Sequence, residues 1–323
     1  MQISTSRQEQ SNLIKFLFRD YYENAQLELP DDIELREFAY QPFNLETYVR
    51  HLSFSSPQEV KQYILENVPL HLYYSSARYQ LPSAKEMDEK GWLGSDLLFD
   101  LDADEICENV KIRRYCPDGY ETLASNCKGE SPIEYVEITK ECIMIVYQKA
   151  LLIKDILKED FGLNARIFFS GNRGFHIRVE CYDECALLDS DDRKEIADYF
   201  VSPKPRYIHE ENPGWSGRKA KGIEGINIDT QVTIDPKRLV RIPGSLNGKA
   251  GLKVFEVKGD FDYNLSSLSP FSGYCAFLPY VNGDFILFNE KYTLKKDSAI
   301  KLPIGVGVYL ALKGLGKVKS YVR

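Results

Sequence analysis

The segment from Asp96 to Asp104, which reads DLLFDLDAD, constrains the fold and chemistry of this protein more than any other. Its apolar run predicts a buried strand, and the strand carries carboxylates at Asp100 and Asp102. Because side chains two residues apart on a strand share a face, these two would repel each other unless a cation lies between them. With a third carboxylate from elsewhere, such a pair is typical of divalent-metal phosphoryl-transfer sites. The alternative is a strand end that runs into an acidic loop.

Composition indicates a folded chain. Its 323 residues exceed the usual size of a single core, which predicts one large domain with an appendage or two domains. Hydrophobic residues make up 43% and aromatic residues 12%, which argues against disorder. The formal net charge of −7 argues against a general polyanion binder, although a local basic groove is compatible with it.

The sequence contains no apolar run of the roughly 18 residues that a membrane span needs, and residues 1–7 lack the apolar core of a signal peptide. We therefore expect an intracellular protein that is neither secreted nor anchored in a membrane. In that setting, the seven cysteines are expected to be thiols or metal ligands and not disulfides.

Periodicity predicts several helices. The segment 1–70 looks helical with polar loops, and the clearest helix there follows the Ser-Ser-Pro sequence that ends at Pro57. Residues 103–138 look irregular. A long amphipathic helix follows, capped by Thr139 and ended by Gly162, and residues 186–202 form a further helix. The segment 304–323 combines a short apolar helix with lysines, among them Lys313.

Two β-rich runs, at residues 165–170 and 175–181, are joined by the turn-forming residues of 171–174, which predicts a hairpin. Residues 226–234 also look like a strand. Together these elements predict an α+β fold in which helices cover one face of an antiparallel sheet.

The hairpin link brings Ser170, Arg173 and His176 close together in sequence, among glycines. Such a link can bind phosphate oxygens through backbone N–H groups and a guanidinium. The alternative is that the glycines serve only the turn, with Arg173 in solvent.

A second basic cluster contains Arg238, Arg241 and Lys249, downstream of Asp229. In isolation it is equally compatible with a solvated loop. Taken together, these motifs supply the residue types that a nucleotidyltransferase needs. Three aspartates can bind two metal ions, and the Ser/Arg/His turn and the basic loop can bind a triphosphate.

These motifs resemble the small catalytic subunit of archaeal and eukaryotic DNA primase. The resemblance rests on their order and spacing and extends over most of residues 20–260, with further similarity at 36–39, 74–78 and 158–162. It implies a primase catalytic core on an RRM-like sheet that spans residues 1–323. A zinc-binding subdomain at 104–142 and a helical or loop insertion at 182–225 would belong to it. The short insertion favours an archaeal type, which would be cytoplasmic; a eukaryotic one would be nuclear.

The resemblance also implies roles for individual residues. The residues that would hold two Mg²⁺ or Mn²⁺ ions are Asp100, Asp102 and Asp229. The nucleotide phosphates would be bound by Ser170, Arg173, His176 and Lys249, with Arg241, Asn247 and Arg36 as further candidates. Asn247 stands where related primases commonly carry a histidine. Asp104 lies past the apolar run and is a weaker metal candidate than its neighbours.

The family places its zinc site where this protein has Cys107, Cys116, Cys127 and Cys142. The gaps between these cysteines are wider than those of paired zinc knuckles, so spacing alone favours buried thiols. The resemblance instead implies structural Zn²⁺ held by all four. The remaining cysteines, Cys181, Cys185 and Cys275, are expected to be core thiols.

The resemblance implies de novo synthesis of short RNA primers, and possibly DNA primers, on a single-stranded DNA template from nucleoside triphosphates. It also implies a heterodimer with a large primase subunit that carries an iron–sulfur cluster. Two alternatives stay open at this point. One is a repair primase-polymerase of the same superfamily, and the other is a non-catalytic RRM-like nucleic-acid-binding module, whose sheet would present aromatic residues and not aspartates.

Overall fold

The fold is described from a computed structural model, which covers residues 2–108, 110–123, 127, 130–201 and 225–322, with side chains from residue 12 onward. Its helices are α1 (Gln2–Asn24), α2 (Pro57–Asn67), α3 (Ala103–Ile106), α4 (Lys140–Phe161), α5 (Asp183–Ala186), α6 (Ser190–Val201), α7 (Thr230–Ile234), α8 (Leu265–Leu268) and α9 (Ile304–Leu312).

The strands of the same residues form several antiparallel sheets. They are β1 (Arg36–Gln41), β2 (Val49–Leu52), β3 (His71–Tyr79), β4 (Trp92–Ser95), β5 (Leu97–Asp102), β6 (Lys111–Tyr115), β7 (Glu121–Thr122), β8 (Ile133–Glu137), β9 (Arg166–Phe169), β10 (Gly174–Val179), β11 (Leu239–Arg241), β12 (Leu246–Asn247), β13 (Leu252–Lys253), β14 (Phe255–Glu256), β15 (Tyr274–Pro279), β16 (Gly283–Leu287), β17 (Glu290–Leu294), β18 (Ile300–Pro303) and β19 (Gly316–Val322).

Two sheets dominate the fold. The first has the order β11-β3-β1-β2, with β4 also paired to β3, and the second has the order β14-β9-β10-β5. Helix α4 packs on the second sheet, against β5, β9 and β10. Smaller sheets are formed by β7-β6-β8 and by β18-β15-β19. The predicted mixed fold of helices and antiparallel sheets is therefore confirmed.

Local sequence signals explain where the long helices begin and end. The Ser56 hydroxyl accepts a hydrogen bond from the Glu59 N–H at the start of α2, and Pro57 occupies the first helical position. Helix α4 begins in the same way at Thr139, whose hydroxyl accepts from the Cys142 N–H, and Gly162 ends it with a φ of 68°. The predicted apolar stripe of α4 is buried.

The sequence predictions were wrong in three segments. Residues 36–41 and 49–52 are strands within a region predicted to be helical, and β6, β7 and β8 form a sheet in a region predicted to be irregular. In both places, pairing with distant strands outweighs local propensity. Residues 226–234, predicted to be a strand, instead form an irregular stretch up to Asp229 and then α7, because the Asp229 carboxylate accepts from the Gln231 N–H and caps the helix.

The predicted insertion at residues 182–225 is described only in part. Residues 182–201 contain α5 and α6, and residues 202–224 lie outside the described residues.

The four cysteines that were expected to bind zinc form two disulfides instead. Cys107, just after α3, is bonded to Cys142 in the first turn of α4, and Cys116 is bonded to Cys127. A tetrahedral Cys₄ zinc site needs four thiolates, and a sulfur in a disulfide is not one. The structure therefore does not support the predicted zinc-binding subdomain at 104–142. Of the remaining cysteines, Cys275 is a buried free thiol as predicted, whereas Cys181 and Cys185 are bonded to each other.

Candidate active site

The two carboxylates of β5 lie opposite the hairpin strand β10. In the antiparallel register, Asp100 faces His176 and Asp102 faces Gly174. The His176 Nε2 atom lies 3.5 Å from Asp100 Oδ1. A Cβ at position 174 would collide with the Leu101 carbonyl oxygen and lie 2.6 Å from Asp102 Oδ1, so only glycine leaves room for this pairing. The register thus sets both carboxylates beside the hairpin link.

The third carboxylate is joined to this strand through the backbone. The Asp229 N–H donates to the Asp100 carbonyl oxygen at 3.1 Å, although the two residues lie far apart in sequence. The Asp229 carboxylate also accepts from the Gln231 N–H at 3.0 Å as the cap of α7. The structure therefore brings the three predicted aspartates into one neighbourhood.

The carboxylates disfavour one another's ionisation. Burial, with Asp102 and Asp229 as like charges, raises the pKa of Asp100 to about 8 against the opposing effect of Arg241. Burial and the Asp104 charge raise the pKa of Asp102. Asp100 Oδ1 is buried and has no hydrogen-bond partner. The cluster thus combines excess negative charge with an unsatisfied acceptor.

A fourth carboxylate, which the sequence analysis did not single out, belongs to this cluster. Burial and the charges of Asp102 and Asp229 raise the pKa of Glu105, which lies in α3. Its position shortly after Asp102, on the helix that follows the strand, was the available sequence signal. No three His, Cys, Asp or Glu side chains converge as a ready-made metal cluster in the described ranges, so the carboxylates are neighbours without meeting at one point.

Arg173 connects the acidic cluster to the hairpin link. Its Nε atom lies 3.0 Å from Asp104 Oδ1 and 3.4 Å from Asp102 Oδ2. Asp104 is therefore paired with a guanidinium beside the cluster.

The rest of the hairpin link is tightly held. The Gly174 N–H donates to Ser170 Oγ at 3.2 Å, and the Ser170 N–H donates to the Gly174 carbonyl oxygen at 3.0 Å. The Ser170 hydroxyl proton stays available as a donor. Burial, together with the charges of Arg178 and Arg241, lowers the pKa of His176 well below its ordinary value. His176 is therefore a neutral imidazole.

Lys249 lies on a turn that is fastened to the hairpin link by Asn247. The buried Asn247 side chain donates through Nδ2 to the Ser170 carbonyl oxygen at 2.8 Å, and its Oδ1 accepts from the Lys249 N–H at 2.9 Å. Both polar ends of this amide are thus engaged inside the protein. Asn247 positions Ser170 and Lys249 relative to each other.

His71 is a second connecting residue, and nothing in the sequence singled it out. Its Nδ1 accepts from the Gly248 N–H at 3.2 Å and lies 2.5 Å from Arg241 Nη1. Burial, with the charges of Arg241 and Lys249, lowers its pKa to about 2, so the ring is a neutral acceptor. Arg241 Nη1 also donates to the Tyr73 hydroxyl at 2.9 Å. His71 therefore ties Arg241 to the Lys249 turn.

Arg36 lies apart from the phosphate candidates. It is buried, and Nη1 donates to the Ser75 and Ser76 carbonyl oxygens and to Asp96, while Nε donates to Asp32. Arg36 lines a cavity of about 460 Å³ with residues of both large sheets, among them Tyr74, Leu98, Phe168 and Arg178. Leu98 lies two residues before Asp100 on the same face of β5, although none of the three candidate metal-binding aspartates lines the cavity.

None of the helices in the described residues is long and apolar enough to span a bilayer.

Comparison with known proteins identifies the family. The family model of the DNA primase small subunit matches residues 133–257, and a second model, of a primase C-terminal domain, matches residues 273–322. The DNA primase small subunit PriS of Sulfurisphaera tokodaii is 77% identical over 318 residues, covering 98% of this chain and 99% of that protein. PriS of Sulfolobus acidocaldarius is 61% identical over the whole of both chains. PriS of Staphylothermus marinus is 37% identical over 98% of this chain and 97% of its own.

Among solved structures, the polymerase domain of Mycobacterium tuberculosis Ligase D in complex with DNA has 13% identity and a TM-score of 0.41 over 76% of this chain and 80% of its own. A similarity this low carries no argument about the site. The full-length similarity to the PriS proteins does, and it agrees with the motifs on β5 and β10: the chain belongs to the DNA primase small subunit family, whose members are nucleotidyltransferase-type primases.

Proposed function

We propose that this protein synthesises primers de novo on single-stranded DNA, by joining nucleoside triphosphates with release of pyrophosphate. Short RNA is the expected product, and deoxynucleotides are a second candidate substrate. One observation carries the proposal: the β5–β10 register sets Asp100 and Asp102 beside a hairpin link that carries Ser170 and Arg173. An acidic cluster next to a cationic one is what the transfer of a nucleotide from a triphosphate requires.

The carboxylate cluster is suited to divalent cations. Asp100 has a buried oxygen without a partner, and its pKa is raised by burial and by three neighbouring carboxylates. Hard cations such as Mg²⁺ and Mn²⁺ bind such oxygens. Asp100, Asp102 and Asp229 would hold them. When bound, these ions would lower the pKa of the attacking 3′-hydroxyl and neutralise charge on the leaving pyrophosphate.

The basic residues would hold the triphosphate. Arg173 offers a planar guanidinium that binds phosphate oxygens in pairs, and Lys249 offers a compact charge from the facing turn. His176 is neutral, so it would act as a hydrogen-bond donor. The Ser170 hydroxyl would donate in the same region. Arg241 supports the site electrostatically through its effect on Asp100 and Asp102.

The nucleoside would extend along the face of β5 towards the cavity that Leu98 lines. This cavity has the size of a small-molecule site and is lined by aromatic rings, guanidinium groups and carboxylates. Arg36 lines this cavity, but its side chain is paired with Asp32 and Asp96, so it would contribute to nucleotide binding only indirectly.

A large primase subunit with an iron–sulfur cluster is the expected partner. It would help an acidic catalytic subunit bind a polyanionic template. Archaeal relatives and a role in DNA replication together point to the cytoplasm of an archaeal cell as the place of action.

A repair primase-polymerase is the second candidate. Repair enzymes of this superfamily usually lack a zinc insertion, and the disulfides leave no support for such an insertion here, so the cysteines do not separate the two candidates. The full-length similarity to PriS proteins now favours the replicative primase. A passive RNA-binding module is the weakest of the three, because the open face of β5 presents aspartates that repel phosphate.

Primer synthesis on an unprimed single-stranded template tests the proposal. The Asp100→Asn/Asp102→Asn variant keeps the shape of both side chains and removes both charges. We expect a loss on the order of a thousandfold, about 4 kcal/mol in the transition-state free energy. Asp198→Asn is the matched control, because Asp198 forms only an exposed pair with Lys194. Equal activity of wild type and the double variant would contradict the assignment of the metal site.

A further inference from the structure

Lys313 reaches the hairpin link from the C-terminal part of the protein. It follows the last residue of α9, within the segment that matches the primase C-terminal domain. Its Nζ donates to Asn172 Oδ1 at 2.7 Å. Asn172 is the residue next to Arg173 in the link, so the ammonium group lies at the cationic side of the site.

Close packing explains how α9 comes to lie there. Gly251 has a φ of 68°, and a Cβ at this position would lie 2.7 Å from Val308 Cγ1 and 3.3 Å from Leu312 Cδ1. A glycine here lets α9 pack directly against the turn that carries Lys249. The same contact carries Lys313 towards the hairpin link.

The surroundings of Lys313 are electrostatically unfavourable without a ligand. Arg173 and Lys249 are its charged neighbours of the same sign, Asp102 opposes them, and the Tyr309 ring centroid lies 5.2 Å from Lys313 Nζ. Among the described residues, no carboxylate lies within ion-pair distance of Lys313; its polar partner is the Asn172 amide. Burial and these two cations lower the pKa of Lys313 to about 7. A polyphosphate bound between the three basic groups would remove their repulsion.

We infer that Lys313 is a further binding residue for the triphosphate of the incoming nucleotide, supplied by the C-terminal segment to a site otherwise built from elements that precede β13. Asn172 holds the ammonium group in place before the nucleotide arrives. The inference rests on the proposed function, since it takes the anion at the hairpin link to be the nucleotide's triphosphate.

The test replaces Lys313 by Met, which keeps the length of the side chain and removes its charge. Lys313→Arg keeps the charge. Lys319→Met is the matched control, because Lys319 is an exposed lysine on the neighbouring strand β19. Unfolding temperatures establish that all three variants are folded. Extension of a pre-annealed primer then gives KM and kcat for the nucleoside triphosphate, and calorimetry with inorganic tripolyphosphate gives a dissociation constant independent of turnover.

We expect Lys313→Met to raise KM and the tripolyphosphate dissociation constant about tenfold, as for loss of one charge-assisted hydrogen bond, while kcat changes less than about threefold. For Lys313→Arg, both KM and the tripolyphosphate dissociation constant should lie within about threefold of the wild-type values. Lys319→Met should have the same values as wild type. Unchanged KM and tripolyphosphate binding in folded Lys313→Met would overturn the inference. So would a loss confined to affinity for single-stranded DNA, which would make Lys313 a template contact.

Failure of the proposed function has a different signature. In that case either the wild-type protein would not extend a primer, or the Asp100→Asn/Asp102→Asn variant would be as active as wild type. An active wild type, an inactive aspartate variant and an unaffected Lys313→Met would contradict the Lys313 inference alone.

Discussion

The acidic and the basic halves of the candidate site are built in opposite ways. Two carboxylates of the acidic half lie on alternate positions of β5, and Asp229 is joined to that strand by a backbone hydrogen bond to Asp100. The basic half is collected from the hairpin link, the Lys249 turn and the end of α9, which are far apart in sequence. One half therefore depends on strand register, and the other depends on a few buried polar side chains that join loops.

This difference predicts where the site is fragile. An error in register would displace Asp100 and Asp102 together, because both follow the same strand. Loss of a connecting side chain such as Asn247 would loosen the phosphate-binding residues and leave the carboxylates in place. The following predictions separate the two halves.

The largest effect is expected at Gly174, where the register leaves no room for a side chain. Gly174→Ala would force β10 away from Leu101 and Asp102, because a Cβ there collides with the backbone of β5. We expect a loss of about 3 kcal/mol or more in the free energy of unfolding, with loss of primer synthesis. Denaturant unfolding measures the first quantity.

Gly259→Ala is the control for this change, since a Cβ at position 259 would meet nothing within 4 Å. It should stay within about 0.5 kcal/mol of wild type. A folded and active Gly174→Ala protein would show that the acidic half tolerates a shift in register.

A smaller effect is expected at Asn247, on the basic side. Asn247→Ala leaves the Ser170 carbonyl oxygen and the Lys249 N–H without their partner. We expect a cost of about 1 to 3 kcal/mol in the free energy of unfolding and a nucleotide KM raised about tenfold, because Ser170 and Lys249 lose their fixed spacing. Steady-state kinetics with a pre-annealed primer measures KM.

Asn44→Ala, at an exposed turn position, is the matched control and should leave both quantities unchanged. If the nucleotide KM of Asn247→Ala is no higher than that of Asn44→Ala, Asn247 does not set the geometry of the basic half.

The smallest effect concerns the ionisation of Asp100 in protein kept free of metal by a chelator. Its pKa of about 8 in the folded state lies above the ordinary value near 4, so folding favours the protonated form. Relative to Asp100→Asn, the stability of wild type should be greatest below about pH 4 and should fall as pH rises towards 8. We expect a change of about 1 kcal/mol, since the side chain is 27% exposed and solvent reduces the effect.

Denaturant unfolding of both proteins between pH 4 and 8 measures this difference. Parallel stability profiles would show that neither burial nor the neighbouring carboxylates disfavour the charged form of Asp100.

The contrast between the halves also explains what the sequence could reveal. The alternation of Asp100 and Asp102 on an apolar strand, and the turn residues after residue 170, are local patterns, and the structure forms the corresponding strand and hairpin. Periodicity and caps likewise located α4 between Thr139 and Gly162. Local signals of this kind need no knowledge of distant residues.

What sequence reasoning missed depends on distant partners. His71 contacts residues 170 and 177 positions away, and Lys313 meets Asn172 across 141 positions. The bond between Cys107 and Cys142 likewise depends on where α3 and α4 meet, and the spacing of the cysteines does not contain that information. Residues 226–234 were mistaken for a strand because the cap formed by Asp229 outweighs their β-branched composition.

Because Asp229 and Asp100 are joined through their backbones, the position of the two segments does not depend on the side chains that give the acidic half its charge. The main-chain N–H and carbonyl groups that hold the two segments together are present whatever side chains occupy the two positions. An asparagine at 229 would also still cap α7. A single substitution at Asp100 or Asp229 can therefore remove a charge from the acidic half and still leave the two segments joined.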